Sequence, residues 1–252
     1  MSDIKKKQSV YSAGYSYGQS GDANNLNFHT FHIGAEGYLL TDTRYSVIIP
    51  IHGITGSLGS VQGLGDILGI ITIRQPKQNF SFSAGVRLAT GNDNKAGLPQ
   101  AYQPGTGTTD LLLGIGYYYE KFLFAAGYQK SSGRSKNTLT ELKRGDDLML
   151  RMTYSSEYDE DRDYAISLLY INRLTEMSVV SYTLPSTFSG KTYVAVNGSN
   201  QKQLNLLLQA GWKLDDHTKM VIEGAFPFFK RPVNIDGLSR TFTIGLGAYF
   251  NY

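Results

Sequence analysis

The sequence predicts an all-β fold, a single transmembrane antiparallel up-and-down β-barrel of about 12 strands with periplasmic termini. Three observations predict this fold. Apolar and polar residues alternate along many strand-length segments, so each strand has one apolar face. Short and long connections take turns between these segments, and aromatic residues gather at one end of the strands. Closure into a barrel would leave no unpaired sheet edge inside lipid.

Alternation defines each strand in turn. From Phe80 to Leu88 every second residue is apolar, and the residues between them are serine, glycine and arginine. Each segment is long enough for a tilted crossing of a bilayer, and a soluble sandwich has no shared core for so many outward apolar stripes. The predicted strands are 9–19, 27–40, 43–52, 64–74, 79–90, 108–120, 121–130, 146–156, 162–174, 202–214, 218–229 and 238–252.

In each strand the apolar phase is predicted to face lipid, whereas polar and small residues face the lumen. The lipid-facing series take alternate residues from Tyr11 to Tyr17, Phe31 to Leu39, Tyr45 to Ile51, Ile67 to Ile73, Phe80 to Leu88, Leu111 to Tyr119, Phe122 to Tyr128, Leu148 to Tyr154, Tyr164 to Tyr170, Leu204 to Trp212, Met220 to Phe226 and Phe242 to Tyr252.

The connections set the orientation, because outer-membrane barrels have short periplasmic turns and longer extracellular loops. Residues 1–8 are therefore predicted to be an N-terminal periplasmic tail, and residues 9–252 the barrel. The short connections lie near 41–43, 75–78, 120–121, 157–161 and 215–217. The mostly longer ones lie near 20–26, 53–63, 91–107, 131–145, 175–201 and 230–237.

Aromatic residues on the lipid face predict an interfacial girdle at the periplasmic ends of the strands. Its members are Tyr45, Phe80, Tyr119, Phe122, Tyr154, Tyr164, Trp212, Phe250 and Tyr252. A less complete extracellular girdle is predicted from Phe31, Tyr128, Tyr170 and Phe226.

Composition excludes several classes of protein. The chain has 28 Gly, 18 Tyr and 12 Phe but no Cys, which removes disulfides, thiolate catalysis and cysteine metal sites. A net charge of +3 does not indicate nucleic acid as a partner, and no apolar run reaches the length of a membrane helix. The sequence predicts no cofactor and no metal.

The predicted location is the bacterial outer membrane, with membrane lipid and lipopolysaccharide as partners. The chain opens with Met-Ser-Asp-Ile-Lys-Lys-Lys and shows no apolar signal-peptide segment, so we expect the natural precursor to carry one. The final strand ends in an aromatic residue, which resembles the C-terminal signal read by the barrel assembly machinery during biogenesis.

Three short segments resemble a known family. They are Gly63-Leu64-Gly65-Asp66, Gly85-Val86-Arg87-Leu88-Ala89-Thr90-Gly91 and Gly105-Thr106-Gly107-Thr108-Thr109-Asp110. In this order they resemble the transporter-like outer-membrane family named for the putative meta pathway of phenol degradation, with Ala89 in place of a proline and Thr109 in place of a serine. The resemblance implies a barrel that passes small, often apolar compounds, and it assigns no binding residues.

Charged residues of both signs are predicted to face the lumen, where opposite charges should pair because an isolated charge is costly. Two interpretations remain open: a charge network that plugs a narrow barrel, and a constriction that selects permeants by charge. The predicted lumen and constriction residues are Glu36, Asp66, Arg74, Arg87, Asp110, Glu120, Arg151, Arg173, Lys213 and Glu223.

Pro50 and Pro227 lie near the extracellular ends of their strands, and each removes one hydrogen bond from a strand ladder. Strand termination explains both prolines. The alternative is a lateral opening in the wall through which an apolar solute leaves into lipid.

Two extracellular loops carry further candidates. Loop 91–107 is predicted to fold into the mouth as a constriction, and its Asn92, Asp93 and Asn94 offer oxygen ligands for a cation or form an ordinary Asx-rich turn. Loop 131–145 is either a solvated basic loop or a contact for lipopolysaccharide phosphates. Its basic residues are Arg134, Lys136, Lys143 and Arg144.

The leading functional hypothesis is passive transport of small molecules across the outer membrane, with apolar or aromatic ones as the class that the resemblance implies, and the protein is not expected to be an enzyme. One alternative is a closed structural or adhesion barrel that acts through its loops. The weakest is a lipid hydrolase with a Ser-His pair. His29 and His52 near the outer rim, with Ser46, Ser57 and Ser60, would supply that pair, while His32 and His217 complete the histidines.

Overall fold

The computed structural model describes residues 9–21, 25–181, 191–229, 231–233 and 235–251. Within these residues the chain forms one antiparallel sheet that closes on itself, because the first strand pairs with the last from Val10–Asn251 to Gln19–Phe242. No helix among the described residues is long and apolar enough to span a bilayer. The predicted all-β barrel is confirmed.

Strand bounds follow the alternating segments closely. The strands are β1 (Val10–Gln19), β2 (Asn27–Leu40), β3 (Thr43–Gly56), β4 (Gly59–Leu64), β5 (Ile67–Gln75), β6 (Phe80–Leu88), β7 (Thr109–Tyr119), β8 (Phe122–Ser132), β9 (Asp147–Glu157), β10 (Arg162–Arg173), β11 (Ser178–Ser181), β12 (Thr192–Ala195), β13 (Lys202–Lys213), β14 (Thr218–Phe229) and β15 (Phe242–Asn251). β4 and β5 both pair with β3 and together form one wall strand, whereas β11 and β12 pair only with each other. The wall therefore has the predicted twelve strands.

Side-chain exposure shows which phase of each strand faces outward. Ile71 and Ile244 are about half exposed on the outer surface, whereas Ser81 and Ser167 on the inner phase are buried. Such a continuous belt of exposed large apolar side chains is unfavourable in water and suits hydrocarbon. The outer surface is therefore a lipid-facing surface.

Aromatic pairs lie at the end of the barrel where the short turns are. Tyr154 packs between Phe122 and Tyr164, with ring centroids 5.3 and 6.2 Å away, and Phe80 lies 5.0 Å from Tyr117. The predicted girdle residues from Tyr45 to Phe250 fall in the described strands. Tyr252 and the predicted tail 1–8 lie outside the described residues.

The region from β3 to β5 differs from the prediction at two points. The segment 53–63 is not a loop: β3 and β4 continue as a hairpin closed by Ser57 and Leu58. The reason is burial, because Ile54 and Val61 are both almost fully buried at the extracellular end. The wall strand predicted at 64–74 is interrupted at Gly65 and Asp66, between β4 and β5.

Candidate permeation lumen and extracellular cap

The extracellular end of the lumen contains a buried network of arginine and aspartate side chains, which we call the charge network. Its members are Arg87, Asp110, Arg144, Asp147, Arg173, Arg231 and Asp236. Of the predicted lumen residues, the structure brings together Arg87, Asp110 and Arg173 here. Arg144, Arg231 and Asp236 lie in loops whose path alternation does not reveal, so they were not predicted as members. Alternation does place Asp147 on the inward phase of β9, although it was not among the predicted constriction residues.

Asp110 is the most heavily bonded carboxylate of the network. It is the second residue of β7, is fully buried, and accepts hydrogen bonds from Arg144 Nη1 at 2.9 Å and Gln129 Nε2 at 2.6 Å. Arg87 donates to it from Nε at 3.0 Å and from Nη2, and Thr108 Oγ1 donates at 3.0 Å. Within the described part of the chain, removal of this carboxylate would leave Arg87 without an ion pair.

Asp147 and Asp236 bind the other side of the network. Arg173 donates from Nε and Nη2 to the two oxygens of Asp147 at 3.0 Å each, and from Nη1 to Asp236 Oδ2 at 2.8 Å. Asp236 belongs to the loop between β14 and β15, so this contact fastens that loop to the wall. Arg144 Nε lies 3.7 Å from the same oxygen of Asp236.

Electrostatics in this network favour the charged carboxylates. Burial opposes ionisation of Asp236, but the charges of Arg173, Arg144 and Arg231 outweigh it and hold its pKa below the ordinary value of 3.8. Burial lowers the pKa of the guanidinium groups of Arg144 and Arg231. Each buried charge of the network is therefore stabilised by the opposite charges beside it.

The three segments that carry the family resemblance meet beside this network at Asp66. One oxygen of Asp66 accepts from Gly91 N at 3.0 Å, and the other accepts from Thr106 N at 2.7 Å and Thr106 Oγ1 at 2.6 Å. Thr90 Oγ1 donates to Gly65 O at 3.1 Å. Asp66 is therefore not a free lumen charge: it fixes both ends of loop 91–107 in the break between β4 and β5.

Two glycines of these segments are required by close backbone approach. A Cβ atom built on Gly105 would lie 2.5 Å from the carbonyl carbon of Gly91. Any side chain at either position would force the two ends of loop 91–107 apart.

Loop 91–107 folds over the mouth, as predicted. Tyr102 and Ala101 pack in a buried apolar cluster with Leu26, Phe28 and Ile54. The Tyr102 hydroxyl accepts from Leu58 N at 3.1 Å at the tip of the β3–β4 hairpin.

The cap spans the mouth from one side to the other. Gly237, in the loop before β15, lies so close to Ala101 that a Cβ there would be 2.8 Å from the Ala101 carbonyl oxygen. These two loops follow β14 and β6, which lie on opposite sides of the twelve-strand ring. The contact therefore crosses the extracellular opening, and we call these packed loops the cap.

The candidate cation ligands are engaged within the cap. Asp93 Oδ2 accepts from Lys136 N at 2.5 Å, Asn94 Oδ1 accepts from Thr138 N at 3.1 Å, and Asn92 Oδ1 accepts from Asn94 N at 2.9 Å. Among the described residues, no group of three or more metal-ligating side chains is present. The geometry is that of the Asx-rich turn.

The basic residues of loop 131–145 do not act as one surface. Arg144 is buried in the charge network, which contradicts its assignment to a solvated or lipopolysaccharide-binding loop. Arg134 donates to the Glu141 and Ser178 carbonyl oxygens and lies 3.7 Å from the centre of the Tyr193 ring. Lys136 and Lys143 remain exposed.

Below the cap, the lumen wall is more apolar than predicted. Ile70, Leu123 and Met149 lie beside the inner-face glycines Gly85, Gly116 and Gly127. Uninterrupted apolar runs such as Leu111-Leu112-Leu113 were the sequence signal for this, because both faces of such a strand are apolar.

The opposite half of the lumen contains a cavity of about 280 Å³. It exists because the inward residues of neighbouring strands are small, including Ser16, Ala165, Ala225, Gly245 and Gly247. Its polar lining comes from His32, Arg151, Ser167, Gln209, Glu223, Thr243 and Tyr249. Arg151 and Glu223 are thus the predicted lumen charges that face open space in mid-barrel.

The remaining predicted lumen residues lie towards the periplasmic rim. Glu120 is not on a strand: it is an exposed turn residue with a φ of 51°, which corrects its assignment to the lumen. Glu36 pairs with Arg44 at 3.2 Å, and Arg74 lies 4.7 Å from the centre of the Tyr118 ring. Lys213 Nζ donates to the Glu160 carbonyl oxygen at 2.7 Å.

Both prolines coincide with irregular pairing. Between Ile48 and Ile51 of β3 the ladder is broken opposite Gly65, although Gly65 N still donates to Pro50 O at 2.8 Å. Beside Pro227 the β13–β14 register shifts. The described pairing of β14 with β15 ends at Ala225 and Thr243.

The rim histidines have partners other than the candidate serines. His29 Nδ1 is 2.7 Å from the Tyr15 hydroxyl, and His52 Nδ1 is 2.9 Å from Thr30 Oγ1. The proposed hydrolase pairs of His29 or His52 with Ser46, Ser57 or Ser60 are therefore not formed in this arrangement.

Comparison with known proteins identifies solved structures that share the fold. No family model and no curated protein matches the sequence, so membership of the phenol-degradation family stays a prediction. The COG4313 outer membrane channel from Pseudomonas putida F1 matches with a TM-score of 0.69 and 12% identity over 100% of both chains. The NanC porin matches with 0.54 and 8% identity over 96% of this chain and 98% of that one.

A third solved structure of similar fold is described as a translocator domain and not as a channel or porin. The translocator domain of the autotransporter NalP from Neisseria meningitidis matches with a TM-score of 0.52 and 9% identity, over 99% of this chain and 90% of that one. The chain is therefore a bacterial outer-membrane β-barrel, with the architecture of structures that include channels and porins.

Proposed function

We propose that the protein is a passive outer-membrane channel for small molecules that are largely apolar, including aromatic ones. The observation that carries this function is the lumen wall, which combines inward apolar side chains with an open cavity beneath the cap. A polar, water-filled pore would be expected to have charged and polar side chains at most of these positions. The P. putida F1 structure of the same fold is described as an outer membrane channel, which supports the proposal.

The cap is the gate of this channel. Loop 91–107 is held by the apolar cluster around Tyr102, whereas the loop before β15 is held by the buried ion pairs of Asp236, so this second loop can move without disruption of the strand ladders. A closed structural or adhesion barrel is the second candidate, because the same cap would keep the lumen shut if it never opens. Exposed Lys136 and Lys143 on the cap would contact lipopolysaccharide phosphates in either case.

A lateral exit near Pro227 is part of the proposal. The cavity reaches Ala225 and Thr243, the last described pair of the β14–β15 ladder, and Pro227 follows directly above. Near Pro50 the broken ladder is filled by the Gly65 and Asp66 contacts, which supports local termination there instead.

Solute uptake tests the channel function. An intact lipopolysaccharide leaflet slows the entry of apolar molecules into cells. Cells with such a leaflet, carrying either the gene for this protein or an empty vector, would be supplied with labelled toluene. We expect faster uptake with the protein. Equal uptake, with the folded barrel shown in the membrane by heat-modifiable gel mobility, would favour the structural barrel.

A further inference from the structure

The cavity beneath the cap is large enough for a substituted aromatic ring. A dry cavity of about 150 Å³ in another protein binds benzene, and this one measures about 280 Å³. Leu207, Val221 and Ala225 provide apolar lining, while Arg151 and Glu223 provide charge. A ring with one polar substituent would therefore find both kinds of contact here.

Arg151 is fixed in position but not neutralised by contact. Its Nε donates to Thr153 Oγ1 at 3.0 Å, and its Nη2 donates to Ser167 Oγ at 3.0 Å. A guanidinium has five N–H donors, so these two bonds orient the group and leave donors for a ligand. Arg151 belongs to none of the ion pairs found among the described residues, unlike the arginines of the charge network.

Glu223 sets the charge that a ligand can carry. It lines the same cavity and likewise forms no ion pair among the described residues. Because its carboxylate lines the same cavity, it would repel a second negative group on a bound molecule. The cavity thus offers one anion-binding group and one group that discriminates against dianions.

We propose that this cavity is a binding site for small apolar monocarboxylates, such as aryl carboxylates. The carboxylate binds the free N–H groups of Arg151, and the ring packs against Leu207 and Val221. Because the cavity belongs to the proposed permeation lumen, this ligand class rests on the channel function. Carboxylate is favoured over a neutral ligand because a charge-assisted bond to guanidinium is stronger than a neutral hydrogen bond.

Equilibrium binding to the full refolded chain in detergent micelles tests the site. The probes are benzoate, its neutral analogue benzamide, and the dianion terephthalate, at a pH where both acids are ionised. We expect benzoate to bind about tenfold more tightly than benzamide, as for one charge-assisted hydrogen bond, and terephthalate to bind least. Equal affinity for benzoate and benzamide, or binding of neither, would overturn the proposal.

Two variants and one control assign the effect to named residues. Arg151→Gln should remove the preference for benzoate, and Glu223→Gln should strengthen terephthalate binding. Arg74→Gln is the matched control, because Arg74 lies against Tyr118 and does not line the cavity. A benzoate preference that survives in Arg151→Gln, or that is lost equally in Arg74→Gln, would contradict the assignment.

The binding result and the transport result are separable. If toluene uptake is normal but the protein binds benzoate and benzamide equally, the ligand class is wrong and the channel function stands. If benzoate binds as expected but no solute enters cells, the site stands and the channel function is wrong.

Discussion

Replacement of Asp236 by asparagine should open the cap. Asp236 is the buried carboxylate that fastens the β14–β15 loop to the wall through Arg173. Asparagine keeps the shape and removes the charge. Since Asp236 lies outside the strands, the ladders that hold the barrel are untouched.

The size of the effect on cap closure depends on which hydrogen bonds Arg173 and Arg144 keep after the replacement. Arg173 keeps its two bonds to Asp147, and Arg144 keeps its bond to Asp110. The free energy of cap closure that is lost is therefore smaller than the roughly 3–5 kcal/mol that a buried charge costs when it is left without any partner. One charged hydrogen bond is lost, at about 2 kcal/mol, which corresponds to a rise of about 30-fold in the ratio of open to closed cap.

Single-channel recording in planar bilayers measures that ratio. We expect rare openings for the wild-type protein and much more frequent ones for Asp236→Asn. Asp159→Asn is the control, because Asp159 pairs with Arg162 in an exposed periplasmic turn and such pairs contribute little. The reasoning is refuted if Asp236→Asn folds normally but opens no more often than the wild type, or if the control opens equally often.

Three other predictions concern the cap, the lipid face and the loop ends. The pKa of Asp236 in the folded protein lies below 3.8, so its carboxylate contributes fully to cap closure above that pH. This contribution is lost as the pH falls through the lowered pKa, so the open probability of the channel should rise only in acid. Ile71→Arg should cost about 2–4 kcal/mol of barrel stability in urea titrations in lipid, whereas Thr72→Arg on the lumen face should cost less. Gly105→Ala should cost about 1–3 kcal/mol in the same titration by separating the ends of loop 91–107, while Gly69→Ala, which has open space, should cost less.

The wall of the barrel was predictable because alternation has a period of two and lipid enforces it on every strand. A one-residue shift would place a whole apolar series in the lumen, so the phase of strands such as β6 is determined by local sequence. The sequence predicts a loop in place of the β3–β4 hairpin, because glycine and serine residues there obscure the inward pair Ile54 and Val61.

The cap was only partly predictable. Loop 91–107 was expected in the mouth, but its anchor at Asp66 joins residues 25 and 40 positions apart, which no local pattern reveals. The pairing of Arg87 with Asp110 follows from their opposition on β6 and β7. Asp236 and Arg231 could not be placed, because their loop has no periodic pattern and its path is fixed by ion pairs across the lumen.

Uptake by a pair of adjacent variants tests the central claim, that solutes cross through the lumen of this barrel, most directly. Ala165→Phe would fill the cavity from inside, whereas Ile166→Phe places the same ring on the exposed lipid face one residue later. We predict that toluene uptake falls to the empty-vector level in Ala165→Phe and stays at the wild-type level in Ile166→Phe. Wild-type uptake in both folded variants would contradict transport through this cavity.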